Sequence, residues 1–147
     1  MSIEPEFVVE NRHWYERLSA LVNRLSDEDL IRPMEAGWTP ASVFGHLAFW
    51  DMRIVTLLKK WEGEGLVSAS EVDSDVINEV SRRLLMAIPP RTAASLALDW
   101  AQAANQAIAQ LSPEVAAEVR EKAPNVRLDR MHHRKAHIEE IEKLIGG

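Results

Sequence analysis

Two histidines four residues apart, His133 and His137, are the strongest chemical signal in the chain. They lie in Met131-His132-His133-Arg134-Lys135-Ala136-His137-Ile138, inside a C-terminal segment with helical apolar spacing. Four residues turn an α-helix by about 400°, so both imidazoles leave one face, one turn apart. A third histidine, His46, lies far upstream in Phe44-Gly45-His46-Leu47-Ala48-Phe49-Trp50, a second helical segment. If those helices pack together, three imidazoles can converge on one divalent metal and leave coordination positions open. Neutral imidazole nitrogen suits zinc, nickel, iron or copper, and an open position distinguishes a catalytic site from a closed structural one.

The other histidines do not fit this set. His132 is five residues from His137, about 140° round the helix, and is expected to face solvent. His13 has no partner at helical spacing and reads as structural. The peptidase motif His-Glu-x-x-His is absent, because Arg134 stands where the glutamate would be. A single inward histidine is ordinarily a core-edge residue satisfied by a carbonyl or water. Three inward and close together are costly to bury without a shared ligand, and a metal supplies one.

The elements that must position these residues are helical throughout. A first helix spans about Phe7 to Leu25, with Trp14, Leu18, Leu21, Val22 and Leu25 at steps of three and four. Ser26 caps a short turn, and 32–37 is a loop. Thr39 as N-cap and Pro40 at the first helical position open the next helix. Its stripe is Val43, Leu47, Trp50, Ile54, Leu57, Leu58 and Trp61, and Gly63 and Gly65 end it. Asp73 or Ser74 starts a segment carrying Val76, Ile77, Val80, Leu84 and Leu85, which Pro89-Pro90 must stop. Thr92 is read as recapping a long alanine-rich helix to Leu111. Ser112-Pro113 starts a short helix to about Lys122, and a final helix runs from about Asp129 to Ile145. In that helix His133 and His137 continue the stripe of Ile138, Ile141, Leu144 and Ile145. Four long amphipathic helices bury their stripes most naturally as an all-α four-helix bundle, one domain over 1–147.

Bulk properties narrow the function. The chain has 147 residues, no cysteine and a formal charge of −6. Absence of cysteine excludes disulfides, thiolate metal sites and a cysteine nucleophile. The acidic balance argues against nucleic acid as a partner. Arg127, Arg130, Arg134 and Lys135 make a local basic patch, read as an ordinary solvated helix face. No leader is visible and no apolar run approaches a membrane span, so a cytoplasmic chain with no membrane partner is expected. Five tryptophans on so short a helical chain leave apolar surface exposed, so a homodimer is expected.

Taken jointly, two segments resemble the DinB/YfiT-like superfamily of metal-binding four-helix proteins. Gly37-Trp38-Thr39-Pro40 through His46-Leu47 to Trp50 is similar to the family's tryptophan, cap and His-Leu signature. His133-Arg134-Lys135-Ala136-His137 through Ile141 is similar to its His-x-x-x-His-x-x-x-Ile signature. The resemblance spans nearly the whole chain. It implies an antiparallel bundle with a long connection between the second and third long helices. It also implies a divalent metal, often zinc or nickel, with His46, His133 and His137 as ligands. Some such proteins are thiol-dependent transferases or isomerases using mycothiol, bacillithiol or glutathione; others are hydrolases or self-resistance proteins.

Three functions are carried forward. One is a metal-dependent enzyme, a thiol S-transferase or a hydrolase of a small electrophile. Another is a non-catalytic protein that sequesters a small molecule, and the last a structural bundle without metal. A small-molecule substrate is the expected partner, with the stretch 66–91 or 32–38 distinguishing it. Trp38 and Trp50 are candidate pocket walls, or plain core. Asp75 and Asn78 lie one turn apart and could face the pocket, or serve a solvated face and a cap.

Overall fold

A computed structural model describes residues 4–146 of the chain. The described residues contain seven α-helices, α1 (Glu6–Arg24), α2 (Asp27–Leu30), α3 (Pro40–Glu64), α4 (Ser74–Leu85), α5 (Pro90–Ala109), α6 (Pro113–Lys122) and α7 (Met131–Ile145), and a 3-10 turn at Glu35–Gly37 within the loop before α3. None is long and apolar enough to cross a membrane.

Local sequence chemistry fixes most boundaries. Ser26 and Asp29 form a reciprocal capping box over α2, and Thr39 and Ser42 form another over α3, where Pro40 opens the helix. Gly65 closes α3 in the left-handed conformation, while Gly63 is accommodated inside the last turn. Asp73 caps α4, and Ser112 caps α6 ahead of Pro113. Thr92 does not cap α5. The helix begins two residues earlier at Pro90, whose missing N–H costs nothing there, and Ala93 N–H donates to the Pro89 carbonyl.

Four helices, α1, α3, α5 and α7, form the bundle. α3 packs on α5, α5 on α1, α1 on α7 and α7 on α3. Two apolar clusters give the directions. One joins Leu18–Val22 of α1 and Leu25 just after it, Ala41–Leu47 of α3, Ala93–Ala101 of α5 and Ile138–Ile141 of α7. The other joins Phe7, Ile54–Trp61 and Ile108 with α6 and Val126–Leu128. So α3 and α5 run parallel, and α1 and α7 run parallel in the opposite sense. A parallel pair needs a connection that returns along the bundle, and residues 65–89 supply it. Gly45 is what lets α4 lie on α3: a Cβ there would meet Leu85 Cδ2 at 3.0 Å. On α5, Ala93, Ala94, Ala97, Ala101 and Ala104 form a small-residue face that admits α3 closely.

Between the apolar clusters lies a buried polar belt. Each bundle helix contributes at the same level: Asn11, Asp51, Asn105 and Arg134, with Arg130 just before α7. Arg130 Nε donates to Asp51 Oδ1 at 2.8 Å, and Arg134 Nη2 donates to Asp51 Oδ2 at 3.4 Å. Arg134 also donates to the Asn11 and Ala101 carbonyls and to Asn105 Oδ1. Asn11 bonds the Leu128 carbonyl and the Met131 N–H. This corrects the reading of the basic patch. Arg127 and Lys135 are exposed, but Arg130 and Arg134 are only 7% and 1% exposed. Arg134 falls four residues before Ile138, on the core stripe, and a buried carboxylate with backbone carbonyls replaces its water.

Candidate metal centre

His46 sits on α3 one turn beyond the capping box, and His133 and His137 sit on the first two turns of α7. The core face of α7 is Arg134, Ile138 and Ile141. His133 and His137 lie one step round from it, where α7 meets α3. The structure therefore brings all three imidazoles together. One ring nitrogen of each lies within 4.8 Å of the other two. Ring centroids are 4.7 Å apart for His46–His133, 5.0 Å for His46–His137 and 4.9 Å for His133–His137.

Their electrostatics favour the ligating form. His46 Nε2 and His133 Nε2 are 2.8 Å apart, a contact in which at least one ring must be neutral. Burial, then the charges of His137 and Arg130, push His46 down to about 4. Burial, followed by His137, His46, Arg130 and Arg134, pushes His133 down to about 2. His137 is also lowered by burial, with Glu140 opposing. Near neutral pH the cluster presents three uncharged imidazoles. His46 Nδ1 is buried with no hydrogen-bond partner among the described residues. Nitrogens sharing one ion at about 2.0–2.1 Å lie at most about 4 Å apart, so modest side-chain rotation suffices. These donors fit a divalent cation, and the His46/His133/His137 group could bind one.

The imidazoles open into a cavity of about 1340 Å³ between α3, α7, α4 and the 34–38 loop. Trp38 and Trp50 are half-buried and both line it. Trp38 stands edge-on to His46 at 5.4 Å. Trp50 Nε1 donates to Asn78 Oδ1 at 2.8 Å, which ties α4 to α3. Of the polar pair on α4, Asn78 reaches the cavity, while Asp75 is exposed. His132 and His13 are both exposed; His132 Nε2 lies 3.3 Å from Asp129, and His13 packs edge-on to Trp14. Neither joins the cluster.

The sequence reading missed the support behind the site. Asp51 falls on the apolar stripe between Leu47 and Ile54, and a lone carboxylate on such a stripe is the signal that could have exposed it. Arg53 and Glu140 carry no spacing signal of their own; both line the cavity, and Glu140 Oε1 lies 3.5 Å from His137 Nδ1.

Comparison with known proteins adds the lineage. The family model of the DinB superfamily matches residues 11–139, and the chain belongs to that family. No curated protein and no solved structure matches it.

Proposed function

We propose that this DinB-superfamily chain holds a divalent metal, zinc or nickel, through His46, His133 and His137 and uses it on a small electrophile with a thiol co-substrate. The observation that carries this reading is the convergence of three neutral imidazoles on one wall of a large cavity. When bound, such a cation supplies Lewis acidity, lowering the pKa of a thiol or water within its reach. The chain has no cysteine, so the sulfur comes from a low-molecular-weight thiol. In the transfer, a carbon–sulfur bond forms, the bond to the leaving group breaks, and the thiol proton leaves with that group. Trp38 and Trp50 supply apolar walls for the electrophile and limit water.

One observation favours hydrolysis as a second reading. Glu140 faces the cavity beside His137, where its carboxylate can take a proton from an attacking water. Metal analysis of untagged protein, followed by thiol-conjugation and hydrolysis screens of the loaded protein, tests both. A loaded protein that turns over neither class, yet binds a small molecule, would leave a sequestering role.

We also propose that two copies pair through α4. Val76, Val80 and Leu84 repeat every four residues on one face and are 55%, 62% and 72% exposed. A two-fold antiparallel pairing about Val80 covers this stripe and sets Val76 of each copy against Leu84 of the other. Sedimentation at micromolar concentration is expected to show a dimer that L84K dissociates. A wild-type monomer would refute it.

A further inference from the structure

The chain is acidic overall, yet its cavity is not. Four cations line it, Arg53, Arg127, Arg130 and Lys143, against three carboxylates, Glu35, Asp129 and Glu140. Behind the wall, Asp51 is shared by Arg130 and Arg134. Among the described residues, the ion pairs leave two of the lining cations without a carboxylate: Lys143, which is exposed, and Arg53, which is partly buried. Arg127 is taken by Asp129, and Arg130 by Asp51. Arg53 forms no ion pair among the described residues. Its Nη2 donates to the Ser70 carbonyl and hydroxyl, both at 3.1 Å, and its guanidinium lies 5.6 Å from the Trp50 ring centre. Nε and Nη1 keep no protein partner among those residues. Partial burial and the neighbouring charge of Arg130 both lower its pKa, the mark of a cation lacking a counter-ion.

Position gives this charge a use. His46, Trp50 and Arg53 follow at steps of four and three, so all three face the same way along α3. Seven residues of rise place Arg53 about 10 Å along the helix from His46. Trp50 covers the interval. A ligand lying along this wall would present one end to the imidazoles and the other to a preorganised guanidinium.

We propose that Arg53 is the recognition site for a carboxylate carried by the cavity's ligand, about 10 Å from the end that meets the histidines. A planar guanidinium with free donors suits a carboxylate. One guanidinium carries one charge, which matches a monoanion better than a phosphate ester, which carries closer to two charges at pH 7. The inference rests on the reading that the ligand enters this cavity, and its test separates the two.

The test is calorimetric titration of the full-length, nickel-loaded protein with octanoate, octanol, octyl phosphate and mercaptooctanoate. Octanoate is expected to bind at least tenfold tighter than octanol. In R53Q that preference should vanish while octanol binding stays unchanged, which loss of a purely structural arginine would not produce. R53K, which keeps the charge but loses the fork, should fall between. Equal binding of acid and alcohol to the wild type, or an acid preference surviving in R53Q, overturns the proposal. Octyl phosphate binding tenfold tighter than octanoate overturns the carboxylate assignment. Mercaptooctanoate binding no tighter than octanoate would count against thiol recognition at the metal, yet the acid preference and its loss in R53Q would still support the Arg53 site.

Discussion

His133 and Arg134 are neighbours in sequence and both leave water, but they belong to two different kinds of buried polar cluster. Arg134 joins a charged network in which Asp51 is shared by two guanidiniums and four helices contribute partners. His133 joins a neutral cluster whose members face a cavity and find little but each other. One cluster spends its charge on the protein, with only Arg134 Nε left without a partner among the described residues, and the other turns its ring nitrogens to a cavity. Charge pairing across helices marks a device that fixes register; nitrogens facing a cavity mark a place for a ligand.

The largest effect separating them is on metal binding. H133A or H137A is expected to abolish stoichiometric uptake, measured by metal analysis after dialysis, while H132A keeps it. Uptake surviving in H133A would erase the distinction.

The second effect is on stability. D51A leaves two buried guanidiniums facing each other without a carboxylate. Removing one partner of such a pair costs about 3–5 kcal/mol, so denaturant melts should show D51A far less stable than apo H133A. Equal stabilities would show that the belt is not the fold's register device.

Protons give a third, smaller contrast. His46 and His133 have folded pKa values below the unfolded value near 6.5. The unfolded chain therefore binds more protons below that pH. The apo-protein's stability is fully present above about 6.5 and is lost as pH falls, by about 1.4 kcal/mol per unit for each imidazole that stays neutral in the fold. Urea midpoints from pH 7 to 4.5 should show this slope, and apo H46A/H133A should lose most of it.

Chelation is expected to lower stability without unfolding the chain. The helices carry their own caps and stripes, so the apo-protein should keep its far-ultraviolet dichroism. Its unfolding free energy should fall only by the ligand's mass-action share, about 4 kcal/mol at a thousandfold excess over Kd. Unfolding at 25 °C on chelation would make the histidine cluster structural after all.

The sequence exposed these two clusters unequally. His46, His133 and His137 were legible because imidazole spacing is a chemical signal that survives without coordinates. The caps at Ser26, Thr39 and Ser112 were legible because they act within four residues. The belt was not, since Arg130 and Arg134 look like a solvated charge run until Asp51, some 79 residues earlier, is placed against them. The run of Val76, Val80 and Leu84 reads as a core stripe, yet the crossover that carries α4 turns it outward. Both misreadings concern contacts across the bundle, which local periodicity does not encode.

The pairing of the long helices has a mechanical consequence. α3 is seated chiefly on α5, and α7 chiefly on α1. His46 thus rides on one plank, and His133 and His137 ride on the other. Whatever the three imidazoles grip is a rivet through the seam, loaded whenever the planks slide. The salt bridges of Asp51 to Arg130 and Arg134 cross the same seam and set how far it can slip. The play they leave is the tolerance of the grip. A stiff seam admits ions of one radius and angular demand, and a loose one admits several. For any ion the three imidazoles could bind, selection would then be a property of joinery some residues away from them.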